Sequence, residues 1–204
     1  MTRRSFLSMI PGAALLPAAA KPAVIVPVHF IFDGLAKLPA EQVRWFWSRL
    51  WAEAARDFAR GGIRFESSIG PGEVWRPQFR EPVVSGLESR ALNVVLTSRI
   101  PLDWDNGRAW CGITTLYRGR HLCMIALERA HCDQVPLLSV NTCVHELLHA
   151  LLLDIYVARP TARVAQAHEF RVDWCATRLW LFGDGSGIRK SAEAYVRSLQ
   201  TAPG

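Results

Sequence analysis

The chain predicts an α+β fold: a small mixed sheet backed by one helix and followed by three more helices. Three observations carry this. Short runs rich in β-branched residues recur at Val24 to Phe32, Ile63 to Ile69 and Ala91 to Ser98, as half-buried or buried strands require. Between the first two, apolar residues return at helical spacing. After residue 140 the strand period gives way to three helical segments, the first almost wholly apolar.

Each element follows from its residues in turn. Val24 to Phe32 reads as a buried strand, although Pro27 lacks a donor and directs it to a sheet edge or a bulge. Leu38-Pro39 leads into a helix from Glu41 to Arg60, where Val43, Phe46, Leu50, Ala54 and Phe58 form one stripe and Trp47 and Trp51 widen it toward the core. Gly61-Gly62 ends that helix, and Ile63 to Ile69 is the second strand. Residues 70–90, with Trp75, Phe79 and Arg80 among prolines and glycines, read as an excursion near the cleft. Ala91 to Ser98 is the third strand and Asp103 to Ala109 a loop. Gly112 to Tyr117 and His121 to Leu127 form a hairpin across Arg118-Gly119-Arg120. The first of these is expected to be an outer strand, open to pairing with an extended peptide. Pro160 stops the next helical region. A helix from about Arg163 to Phe182 and a last one from Arg189 to Gln200 complete the chain. No internal repeat is visible.

Chemistry concentrates in His145-Glu146-Leu147-Leu148-His149, set in the apolar run Val144 to Leu153. Residues four apart share a helix face, so both imidazoles can bind one Zn²⁺ with Glu146 beside them as general base. Two unpaired imidazoles on so apolar a helix would be costly, which favours ligands over bystanders. A hydrolytic zinc site needs a third donor. Asp154 turns away if the helix continues, at about 100° per residue. Glu169 and Asp173 share a face of the following helix, so one can bind metal while the other fixes a ligand imidazole. Their mutual repulsion, with no basic residue three or four positions from Glu169, also favours a nearby cation. His168 is the rival third donor.

With HELLH, then nineteen residues, then Glu169-Phe-Arg-Val-Asp173, residues 144–174 resemble the gluzincin metallopeptidases, whose pattern is HExxH followed by ExxxD on a later helix. The resemblance implies His145, His149 and Glu169 as ligands of one zinc per chain, Glu146 as base and Asp173 behind a ligand. It also implies a zincin-like architecture and hydrolysis of a peptide or protein substrate. Upstream, Val24 to Phe32, the long helix, Gly61-Gly62-Ile63-Arg64-Phe65 and Leu92 to Leu96 are similar to the metzincins. Their longer motif fails here, because Leu152 stands at the glycine turn and Ile155 at the third-ligand position. No counterpart of the gluzincin oxyanion donors stands out among Tyr117, His131, Tyr156 and Arg171.

Thr2-Arg3-Arg4-Ser5-Phe6-Leu7 resembles a twin-arginine export signal, followed by a short apolar stretch and Ala18-Ala19-Ala20. Residues 1–20 are therefore expected to be a cleaved signal read by an export machinery, and residues 21–204 one periplasmic or secreted domain. The apolar stretch falls short of the roughly 20 residues that span a bilayer, so no stable membrane insertion is expected after cleavage. Removing the signal takes away two arginines and no acid, lowering the +6 charge to a modest +4. No basic block or basic-aromatic stretch appears, so nucleic acid is not an expected partner.

Cys111, Cys123, Cys132, Cys143 and Cys175 allow two disulfides and a leftover thiol in an oxidising compartment. Cys143 and Cys175 each turn away from the metal-facing side of their helix, which argues against a bridge between them. A second zinc site from His121, Cys123, His131 and Cys132 lacks the usual C-x-x-C spacing. The expected function is an exported zinc peptidase; the alternative is a zinc-holding interaction protein without turnover.

Overall fold

The computed structural model describes residues 22–75, 83–98, 100, 111–118, 120–127, 141–152 and 162–201, and of Trp75 and residues 162–169 the backbone alone. The expected signal at 1–20, the expected loop Asp103 to Ala109, and Phe79, Arg80, His131, Cys132, Asp154, Tyr156 and Pro160 lie outside the described residues, as do the side chains of His168 and Glu169.

In chain order the elements are β1 (Val24–Asp33), α1, β2 (Ile63–Gly72), β3 (Val74–Trp75), β4 (Val83–Val84), β5 (Leu92–Thr97), β6 (Gly112–Tyr117), β7 (Arg120–Ala126), α2 (Thr142–Leu151), α3 (Ala162–Phe182) and α4 (Ser186–Thr201). Helix α1 runs unbroken through Ala40–Trp45, a π-helical stretch Phe46–Trp51, and Ala52–Arg60. The result is a mixed α+β fold. Its sheet has the order β2-β1-β5-β7-β6, with β2, β1, β5 and β7 parallel and β6 antiparallel at one edge.

The two faces of the sheet are dressed differently. Val24, Val26, Val28 and Phe30 of β1, with Leu92, Val94 and Leu96 of β5, meet residues of all four helices in one core. The alternate residues Ile31, Val95, Leu122 and Met124 meet Val74, Val84 and Tyr117 on the opposite face. That two-residue alternation is the pleat itself. Strand β5 is buried along its whole length, as befits a strand covered on both sides.

Strand β1 contradicts the expected edge position of Pro27, since it lies between β2 and β5. The hydrogen-bond pattern explains how the proline is accommodated. Val24 donates its N–H to Gly62 on the β2 side, and donors alternate sides along a strand, so the position lacking an N–H faces β5. Pairing with β5 begins only at Val28, one residue beyond.

The tryptophans of α1 go to the core as expected. Phe30 receives Trp47 and Trp51 edge-on, with ring centroids 4.8 and 4.7 Å away, and Phe46 at 5.8 Å, separations at which aromatic pairs attract. Helix α1 ends at Gly62, whose φ of 79° suits glycine. Gly61 stands so close to Gly185, ahead of α4, that a Cβ on Gly185 would lie 2.1 Å from the Gly61 carbonyl oxygen. The described part of the 70–90 segment extends β2 to Gly72 and adds the short β3/β4 ribbon. That part packs on the face away from the helices; residues 76–82, the rest of the expected excursion, lie outside the described residues. No described helix is long and apolar enough to cross a membrane.

Candidate metal centre

Helix α2 is set by its cap. Asn141 Oδ1 accepts from the N–H groups of Cys143 (2.9 Å) and Val144 (3.4 Å), and its Nδ2 donates to the Leu50 carbonyl in the π-helical stretch of α1 (2.8 Å). Capping satisfies donors that a helix start leaves orphaned. The remaining turns pack against the sheet, so eight residues of this ten-residue helix are buried.

On this helix the His145 and His149 rings meet with centroids 4.5 Å apart and Nε2 atoms 2.9 Å apart. Asp173, reaching across from α3, brings Oδ1 to 3.3 Å from the other nitrogen of His145, Nδ1. The approach is close but not aligned as a hydrogen bond, for Oδ1 has no aligned partner among the described residues. Thr177 Oγ1 donates to the Asp173 main-chain carbonyl and Arg178 pairs with Asp184, so neither takes the Asp173 carboxylate. In the tautomer that carries the proton on Nδ1, facing Asp173, His145 presents an Nε2 lone pair to Nε2 of His149. Two lone pairs at that distance repel unless a proton or a cation stands between them; a tetrahedral zinc at about 2.0–2.1 Å from each nitrogen calls for nitrogens roughly 3.3 Å apart, so the rings would open by a few tenths of an ångström to admit one. The donor chemistry therefore suits a divalent metal.

Glu146 points to the sheet, 5% exposed. Its Oε2 accepts from Thr114 Oγ1 on β6 at 2.7 Å. Cys123, on β7 opposite Thr114, points its thiol at the Glu146 main-chain carbonyl (3.5 Å). Burial pushes the thiols of Cys123 and Cys143 well up, with the nearby Glu146 charge adding to the rise; both stay protonated. Neither they nor Cys175 forms a disulfide, and Cys143 is wholly buried in the helix-side core.

Glu169 is in α3 by its backbone, one turn before Asp173; its side chain and that of His168 lie outside the described residues. Among the described residues no group of three His, Cys, Asp or Glu is poised to hold a metal. Other candidates are redirected. Tyr117 faces away from α2, its hydroxyl accepting from the Val84 N–H at 3.1 Å, so it does not serve as an oxyanion donor beside Glu146. His121 packs edge-on against Tyr195 of α4 at 5.6 Å, and burial lowers its pKa to about 4. Thr114 and Asn141 were not legible as site residues, though Gly112 and Thr114, two apart on a strand ahead of the motif, offered a faint signal. No protein-family model matches the chain, and neither a curated protein nor a solved structure does.

Proposed function

We propose that this chain is an exported zinc-dependent peptidase of gluzincin type. His145, His149 and Glu169 hold one zinc ion, Glu146 is the general base and Asp173 orients His145. The observation that carries the reading is the 2.9 Å approach of the two Nε2 atoms with Asp173 set on the far nitrogen of one ring. A ligand histidine ordinarily donates its other N–H to a carboxylate in this way. Glu169 precedes Asp173 by four residues, the spacing at which two helical positions share a face. The mixed sheet with its antiparallel edge strand and the following helices suit a zincin architecture, and export through the signal at 1–20 places the enzyme in the periplasm or outside the cell.

Held by His145, His149 and Glu169, zinc would supply Lewis acidity toward the scissile carbonyl and would make water a better nucleophile at neutral pH. The protein's own groups do the rest. Glu146 takes a proton from water as the water oxygen bonds to the scissile carbonyl carbon, and hands that proton to the amine nitrogen as the C–N bond breaks, leaving a carboxylic acid and an amine. Asp173 favours the His145 tautomer whose Nε2 presents a lone pair to the metal. Edge strand β6 offers its main chain to an extended peptide.

Glu146→Gln in the full chain is expected to keep close to one zinc per chain and to lose at least 100-fold in hydrolysis of a peptide library, the scale of general-base catalysis. A variant that cleaves like the wild type would end the mechanism. Full zinc occupancy in a wild type that cleaves nothing would favour the zinc-holding interaction protein instead.

A further inference from the structure

We infer that Gly112 and Thr114, two residues apart on the edge strand β6, form a cradle that positions the Glu146 carboxylate for its work as base; this rests on the hydrolase reading above. Three observations converge on it. Thr114 Oγ1 lies 2.7 Å from Glu146 Oε2, 2.9 Å from the Glu146 main-chain oxygen and 3.4 Å from Cys123 Sγ, a weak acceptor. A hydroxyl has one proton to give, and the carboxylate, closer and charged, is the stronger acceptor. The main-chain oxygen has a donor of its own in the Cys123 thiol, which leaves the Thr114 proton to the carboxylate.

Gly112 supplies the space. A Cβ there would stand 2.6 Å from Glu146 Cγ, 2.8 Å from Cδ and 2.7 Å from Oε1, inside the closest approach that atoms tolerate. The carboxylate therefore rests in the slot that the missing side chain leaves, while Thr114 fixes its other oxygen. Strand periodicity puts residues 112 and 114 on the same face, and register confirms that face as the one toward α2, since Thr114 pairs with Cys123 and Gly112 with Ile125, both in the helix-side core. Thr114 itself is 7% exposed, so water does not compete for its proton. The base is thereby held by the strand proposed to carry the substrate, which couples the position of the peptide to the position of the carboxylate.

Thr114 is a positioning residue on this account. The test uses the zinc-loaded full chain and the fastest-cut peptide from a synthetic library. Thr114→Val keeps the shape and removes the proton; it is expected to lower kcat at least tenfold with KM within about threefold of wild type. Thr114→Ser restores the hydroxyl and is expected to recover kcat to within about threefold. Gly112→Ala should displace the carboxylate, keeping zinc content and fold while losing kcat. A second readout needs no turnover: in a thermal-unfolding cycle of Thr114→Val with Glu146→Met, which removes the acceptor, the double variant should lose about 3 °C less in Tm than the two single losses added together. Failure is separable. If Glu146→Gln abolishes cleavage while Thr114→Val cleaves like wild type, the cradle falls and the hydrolase stands. If the Tm losses simply add, the cradle also falls. If the wild type binds no zinc and cleaves nothing, the hydrolase reading falls and the positioning role with it.

Discussion

Asp173 and Glu146 are carboxylates placed for opposite ends of the same motif. Asp173 touches the nitrogen of His145 that faces away from His149, so its effect on a bound metal is indirect. Replacing it with Asn keeps a hydrogen-bond acceptor but removes the charge that favours the correct tautomer. Asp173→Asn is therefore expected to weaken zinc binding about 10- to 100-fold, read by competition with a chromophoric chelator; unchanged affinity would assign the 3.3 Å approach to packing alone. His121 gives a second residue-scale prediction. Burial lowers its pKa to about 4, against about 6.5 in an unfolded chain. Between those values the unfolded chain binds more protons, so stability is full above pH 6.5 and falls as pH drops through 4. The loss across the window is about 3 kcal/mol. His121→Phe keeps an edge-on partner for Tyr195, and urea unfolding between pH 7.5 and 4.5 should show a correspondingly shallower acid decline than wild type. A decline as steep as wild type would mean that another group governs it.

At the scale of elements, α2 depends on what precedes it. Asn141 caps two N–H groups and ties the helix to the π-helical stretch of α1 through the Leu50 carbonyl. Asn141→Ala is expected to cost about 2 kcal/mol in urea unfolding, at the upper end of cap losses because a second hydrogen bond goes with it. Asn141→Asp keeps the cap oxygen and loses only the donor to Leu50, so about half the loss should return. A destabilisation equal in both variants would show that the cap oxygen is idle. This cap was not legible because Asn141 and Thr142 are both capping residues, which left the first turn unpinned. The strands and the long helix were legible because their apolar periods are strong. Pro27 misdirected β1 to an edge, for a sequence does not show where a neighbouring strand begins to pair. The 70–90 segment was assigned to a cleft on composition alone, which carries no information about which face of a sheet a loop crosses. The pairing of Glu146 with Thr114 joins residues 32 apart in the chain, and no local period reports such a contact.

In the whole molecule, the candidate centre sits where α2, packed against β6 and β7, meets α3. The proposed ligand set draws on two helices and would exist only when both are docked, so zinc binding there would add to folding stability rather than stand apart from it. At free zinc 100 times above its Kd the gain is about 2.7 kcal/mol, which for a domain of this size is about 5–10 °C in Tm. Chelation of the full chain should lower Tm by that amount and re-addition of zinc should restore it. Glu146→Gln should keep the shift, because the base is not a ligand. Glu169→Ala should lose most of it, because only two imidazoles on a single helix would remain and the metal would no longer join α2 to α3. A wild type whose Tm ignores the chelator and whose preparations carry no zinc would leave the His145–His149 contact as a proton shared between two rings, and the link from α2 to α3 would then rest on Asp173 and packing alone.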